Sequence, residues 1–227
     1  MSISALQNLP QIVTAIGGLG TAAFGLVDAS KVLWGGPNRI GFGGIRTTVG
    51  SLTGITAEAP GSPQAKILAT LQANWFNGTD LNSQKAIAKS LIKLNLNATN
   101  AATIAAATGV DGNVLTAVAG SIAAGTPLTA AQSDVYSRFD FIVTAQLDEA
   151  YQRSDQTYRN GMRALAMLVA LLLAFAGGLS LGNGELAPLD SLKCLLIGLL
   201  ATPLAPIAKD LSTALATAVN TMQLVKK

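Results

Sequence analysis

The chain has no histidine, and only one of its 227 residues is a cysteine. The first absence removes the usual general base, the commonest zinc ligand and every Ser-His-Asp or Cys-His arrangement. The second excludes an intramolecular disulfide. Cys194 sits in an apolar run and reads as a small packing residue rather than a redox centre. Charge is scarce as well: 12% of residues are charged and 50% hydrophobic, where an ordinary soluble domain has about a quarter charged. Aromatics supply 5% and glycine 23 residues, so the apolar content is mostly Ala, Leu, Ile and Val, a composition of closely packed helices. Fifteen basic and 12 acidic residues leave a net charge of +3. No basic run tracks a phosphate backbone, so nucleic acid is not an expected partner. These absences point away from an enzyme, and no cofactor or metal is expected.

What is present is a set of long apolar runs. Residues 164–182 hold no charged side chain, and a helix of ~20 such residues crosses a hydrocarbon core of ~30 Å. "GNGELAPLD" supplies a turn, and "CLLIGLLATPLAPIA" makes a second run that reaches spanning length with Leu192 and Lys193, the lysine snorkelling to the interface. Residues 164–208 therefore read as a transmembrane hairpin, kinked near its exit by Pro203 and Pro206. A third run, "LPQIVTAIGGLGTAAFGLV", is long enough but diluted by Gln11, threonines and glycines. It spans, lies in the interface, or forms a re-entrant element. The N-terminus lacks a positively charged leader and is read as retained.

Arg153, Arg159 and Arg163 precede the hairpin and Lys226 and Lys227 end the chain, whereas the turn carries Glu185 and Asp190. By the positive-inside rule the basic side is cytoplasmic, and a bacterial inner membrane is the expected location. The fold expected is all-α: a multi-pass helical membrane protein with a transmembrane hairpin, a long cytoplasmic stalk helix and a small cytoplasmic helical domain. Its divisions are 1–34, an N-terminal membrane or interfacial helix; 35–61, a Gly/Thr-rich irregular segment; 62–127, the small helical domain; 128–163, the stalk; 164–208, the hairpin; and 209–227, a C-terminal amphipathic helix.

Within 62–127, Ser62 and Pro63 form an N-cap and first-turn pair, and Ile87, Leu91 and Leu94 share a face opposite Lys85, Lys89 and Lys93. Two Ala-rich helices follow on either side of "GVDG". Thr129 and Gln132 stand at capping-box spacing, and no Pro or Gly interrupts the helix from there to Gly161. Val135, Phe139, Ile142, Leu147, Ala150, Ser154 and Tyr158 fall on a single stripe. Asp134 with Arg138, Glu149 with Arg153, and Asp155 with Arg159 are acid-before-base pairs four residues apart. Past the hairpin, Ile207, Leu211, Leu215, Ala218 and Met222 make a second stripe, expected to descend beside the stalk.

Several groups invite chemistry. Gly17, Thr21 and Gly25, and Ala166, Ala170, Ala174, Gly178 and Gly182, recur every fourth residue, a spacing that lets helices approach closely in lipid as a packing or oligomer interface. General Ala and Gly enrichment is the plainer account. Asp28, Lys209 and Asp210 are a candidate polar pathway, although helices that have simply reached water explain them more economically. "RIGFGGIRT" is glycine-rich but has neither Walker nor dinucleotide spacing, and reads as a mobile or oligomer-packing segment. Asp111 and Asn113 lack the later ligands of a calcium loop and read as a helix-joining turn. Asp148 and Glu149 point in different directions and read as partners of basic residues. The function expected is a non-enzymatic membrane component that self-associates as a scaffold or anchor. A homo-oligomeric channel lined by the N-terminal helix is the alternative. Expected partners are the lipid bilayer, further copies of the chain, and another protein at the cytoplasmic helical domain.

Overall fold

The computed structural model describes residues 9–34, 36–54, 61–182, 184 and 187–225, and all regular structure among them is helical. Expectations placed on residues 1–8 and 55–60, and on Glu185, Lys226 and Lys227, lie outside the described residues, as do those on the side chains of Lys209 and of 211–225. In chain order the helices are α1 (Leu9–Trp34), a 3-10 turn (Pro37–Arg39), α2 (Phe42–Thr53), α3 (Pro63–Phe76), α4 (Leu81–Asn95), α5 (Ala101–Thr108), α6 (Gly112–Ala124), α7 (Ala130–Leu181) and α8 (Pro188–Val225). The chain divides into two compact units, Asn38–Tyr158 and Met1–Pro37 with Arg159–Lys227, the boundary falling within α7.

Local sequence explains where the helices begin. Ser62 Oγ accepts from the Ala65 N–H at 3.1 Å, Asp80 Oδ1 from Ser83 at 2.9 Å, and Asp111 Oδ1 from Val114 at 2.9 Å. Each satisfies a backbone donor that a first turn leaves open. Asp111 is thus a cap. At the start of α7 the Gln132 N–H donates to Thr129 Oγ1 and the Thr129 N–H to Gln132 Oε1, at 3.3 and 2.9 Å, a reciprocal capping box.

In the 38–158 unit the periodic apolar faces meet in one core. Ile45, Val49 and Leu52 come from α2, Leu71 and Trp75 from α3, Ala88 and Ile92 from α4, Ile104 and Leu115 from α5 and α6, and Phe139, Val143, Leu147 and Tyr151 from α7. Burying one large apolar side chain contributes ~1.5–3 kcal/mol. The expected α7 stripe lies here: Phe139 and Leu147 are buried and Val135 and Tyr158 pack against the cluster. Ile142 is only half-buried. Val143 and Tyr151, one residue away in phase from the expected positions, are buried with them because successive core contacts are four residues apart.

Composition suggests an irregular segment over 35–61, yet Phe42–Thr53 forms helix α2. Gly41, at φ +89°, starts it without a side-chain cap, and Gly54, at φ +74°, ends it. Both conformations are open to glycine. The glycines are there for contact: a Cβ on Gly41 would strike the Ser154 carbonyl, and one on Gly44 would lie 3.0 Å from Ser154 Oγ. The "GFGG" stretch lets α2 press its first turn onto α7, which helix propensity alone disguises.

Three helices are long and apolar enough to cross a membrane: Gln11–Lys31, Pro188–Ala208, and α7 through its apolar stretch. The second unit is built from them. Its core cluster is three alanines, Ala23, Ala170 and Ala201, flanked by Ile16, Leu19, Val169 and Leu173. A Cβ on Gly17 would collide with Ala208, on Gly20 with the Ala201 carbonyl, and on Gly198 with the Leu171 backbone at 2.7 Å. Gly17 against Leu204 and Ala208, and Gly20 against Ala201 and Ala205, bring α1 and α8 to close backbone approach.

Candidate interaction surfaces

The titratable groups of the 38–158 unit pair across helices rather than gather. Lys85 donates to Asp148 at 2.6 Å, while Lys89 and Lys93 clamp Asp140 at 2.6 and 2.9 Å. The Lys93 ammonium also lies 5.0 Å from the Tyr136 ring centre, within cation–π range. Burial pushes the Asp140 carboxyl up, but the two lysine hydrogen bonds together outweigh it and hold the group below its ordinary value. The same contact with Asp140 raises Lys93. Asp148 and Glu149 do point apart: Glu149 pairs with Arg153 at 2.6 Å on the exposed side. The lysine face of α4, legible as the polar side of an amphipathic helix, therefore clips α4 to α7.

Tyr151 and Ser154 are buried, and neither hydroxyl has a protein partner. Burial pushes the Tyr151 phenol up to about 12, so it stays a neutral O–H near pH 7. Sequence reasoning missed Tyr151 by following Ala150, its buried neighbour, although Phe139, Val143, Leu147 and Tyr151 recur every fourth residue. Among the described residues no three His, Cys, Asp or Glu side chains converge to hold a metal. On the surface, Pro63, Lys66, Ile67, Thr70, Leu91, Leu94 and Asn95 line a groove of about 300 Å³ between α3 and α4. Leu94 is 82% exposed there.

In the other unit the two small-residue patterns part company internally. Ala166, Ala170 and Ala174 are buried within the unit, whereas Gly178 is half-buried and Gly182 exposed. Gly17 is covered by α8, but Thr21 and Gly25 are exposed, and Thr21 Oγ1 donates to the Gly17 carbonyl at 3.1 Å. A Cβ on Gly18 or Gly25 would meet nothing within 4 Å. At 100° per residue Gly18, Ala22 and Gly25 lie opposite Gly20 and Ala23, so α1 has one small face against α8 and another left open. The large side chains point outward: Leu168, Leu172, Leu196 and Leu200 are all exposed.

Of the candidate polar pathway, the side chains of Asp28 and Asp210 are described and that of Lys209 is not. Asp28 is exposed and pairs with Lys31 at 2.6 Å. Gly17, not Asp28, lies beside Ala208. Asp210 is itself exposed. No family model matches the chain, and neither curated proteins nor solved structures show significant similarity to it.

Proposed function

We propose that the protein is a non-enzymatic integral membrane component that self-associates through the open small-residue face of α1 and serves as a scaffold or anchor of a larger assembly. The observation that carries this reading is the division of α1: Gly17 and Gly20 are used up against α8, while Gly18, Thr21 and Gly25 remain uncovered. In hydrocarbon a glycine face gains nothing from lipid tails, but against another helix it allows close backbone contact. Hydropathy supports placement in a bilayer, and Arg153, Arg159 and Arg163 ahead of the hairpin favour a bacterial inner membrane with residues 38–158 in the cytoplasm. The α3/α4 groove would then offer another protein an apolar foothold beside Lys66.

Gly18→Leu with Gly25→Leu tests the reading by native mass spectrometry in mild detergent. Both substitutions enter open space, so the monomer should keep its fold while the multimer dissociates. A wild type that is monomeric in every bilayer mimic, or a double variant with unchanged mass, would defeat it. One observation favours the alternative of a homo-oligomeric channel: Gln11, Thr21 and Asp28 are exposed along α1 and could line a pore. Ion flux through reconstituted wild-type protein, lost in Asp28→Ala, would promote that alternative.

A further inference from the structure

Between α1, the last turns of α7 and the first turns of α8, the spanning unit holds an open groove of about 570 Å³, within the ~300–1,000 Å³ range of ligand sites. Ile16 and Leu19 wall it on one side and Ile197 on another, and Gly177 leaves room by having no side chain. Among the described residues, the charged side chains lining it are Asp190 and Lys193, one turn apart at the start of α8. The other described lining residues are Ala, Leu, Ile, Gly and Cys. An apolar cleft of this size does not fill with water, which needs several polar partners, and left empty its walls forfeit dispersion contacts.

The occupant must therefore be apolar along most of its length and polar at one end. That end meets both signs of charge. Lys193 Nζ donates to Asp190 Oδ1 at 2.7 Å, with the two side chains 61% and 51% exposed. An ammonium has three donors and a carboxylate about four acceptor positions, so each partner can take a second ligand. A single anion would satisfy the lysine but face the carboxylate. A phosphate bearing its own ammonium complements both.

We infer that this groove binds one phosphatidylethanolamine molecule, with an acyl chain along the apolar walls, the phosphate on Lys193 and the head-group amine on Asp190. The inference rests on the three helices lying in a bilayer. It does not rest on self-association.

Full-length protein in a non-ionic detergent, titrated with dioleoyl phosphatidylethanolamine or dioleoyl phosphatidylglycerol, tests it by native mass spectrometry read on the monomer peak. Wild type should take up one phosphatidylethanolamine saturably and prefer it to phosphatidylglycerol. Gly177→Leu should abolish that adduct: a Cβ there meets nothing within 4 Å, so the new side chain fills the groove without striking a helix, and leucine is the better helix former. Gly177→Ala, too small to fill it, should retain the adduct, and matching circular dichroism would show that both variants fold. Asp190→Lys should turn the preference toward phosphatidylglycerol. The proposal is overturned if Gly177→Leu binds the lipid as wild type does, or if Asp190→Lys leaves the preference unaltered. It is also overturned if Gly177→Leu loses multimer mass rather than lipid, which would make a second copy the occupant. Because lipid is counted on monomers, these outcomes are distinct from a failure of the self-association reading.

Discussion

Phe42, Trp75, Phe139 and Tyr151 fill the interior of the 38–158 unit, whereas Ala23, Ala170 and Ala201 form the centre of the unit of long apolar helices and leave Leu168, Leu172, Leu196 and Leu200 outside. The two units sort side-chain size in opposite directions. In water, large apolar groups gain most by burial and are drawn inward. Among lipid tails that gain vanishes, so small residues are selected for close backbone approach and large ones can face out. Exposed leucines of this number on a protein surrounded by water would form an uncovered apolar patch. The contrast thus supports a bilayer environment independently of any hydropathy window.

The largest effect expected from this contrast is in the first unit. Phe139→Ala empties a fully buried position and should cost about 3–5 kcal/mol, seen as a lower urea midpoint and earlier proteolysis of residues 38–158. Leu172→Ala removes a comparable apolar group that is 62% exposed and should change stability in detergent by less than about 0.5 kcal/mol. Equal costs would mean that the exposed leucines are buried in the working protein, and the contrast between the units would collapse.

In the unit of long apolar helices the damaging change is enlargement. Gly20→Leu drives a side chain into the Ala201 carbonyl and should cost about 1–3 kcal/mol of overpacking, read as a lower melting temperature of the micelle-bound protein. Gly18→Leu, two residues away and facing open space, should leave the melting temperature alone while affecting association. Similar losses from both substitutions would show that α1 has no open face.

That pair also marks where the sequence stops being informative. Capping pairs at Ser62, Thr129 and Gln132 and the period of the α7 stripe were legible because each uses a side-chain type with one common role at that spacing. The faces of α1 were not: Gly17, Gly18, Gly20, Thr21, Ala23 and Gly25 place small residues on both sides, and a fourfold spacing cannot say which side is covered. Helix α2 was obscured for the opposite reason. Gly41 and Gly44 weaken its local helix signal but permit the contact with Ser154 that holds it in place, and that contact spans more than a hundred residues of sequence. The apolar groove was hidden too, because it needs three segments brought together.

A smaller effect belongs to the charge clip between α4 and α7. Asp140→Asn should cost about 1 kcal/mol, since the pairs it removes are partly exposed. It should also change the acid response. Asp140 titrates below its ordinary 3.8 when folded, so its stabilisation is complete above that value and is lost as pH falls through the folded value. Lys93 is raised above 10.5, so its contribution is complete below that pH and fades as pH rises through the folded value. Urea midpoints should therefore lose part of their acid-side slope in Asp140→Asn. A variant with the full wild-type slope would place the acid sensitivity elsewhere.

The smallest effect expected is at Arg153. Its pair with Glu149 has the same short separation, 2.6 Å, as Lys89 with Asp140, but the side chains are 76% and 65% exposed against 30% and 29%. Water screens the outer pair, and holding two long side chains in one geometry offsets much of its attraction. Arg153→Ala should therefore cost only about 0.3–0.5 kcal/mol, and added salt should shrink the difference further. The comparison to make is a double-mutant cycle on each pair at two salt concentrations. A larger coupling for Arg153 with Glu149 than for Lys89 with Asp140 would mean that this stretch of α7 is covered in the assembled protein, and would locate a contact surface there.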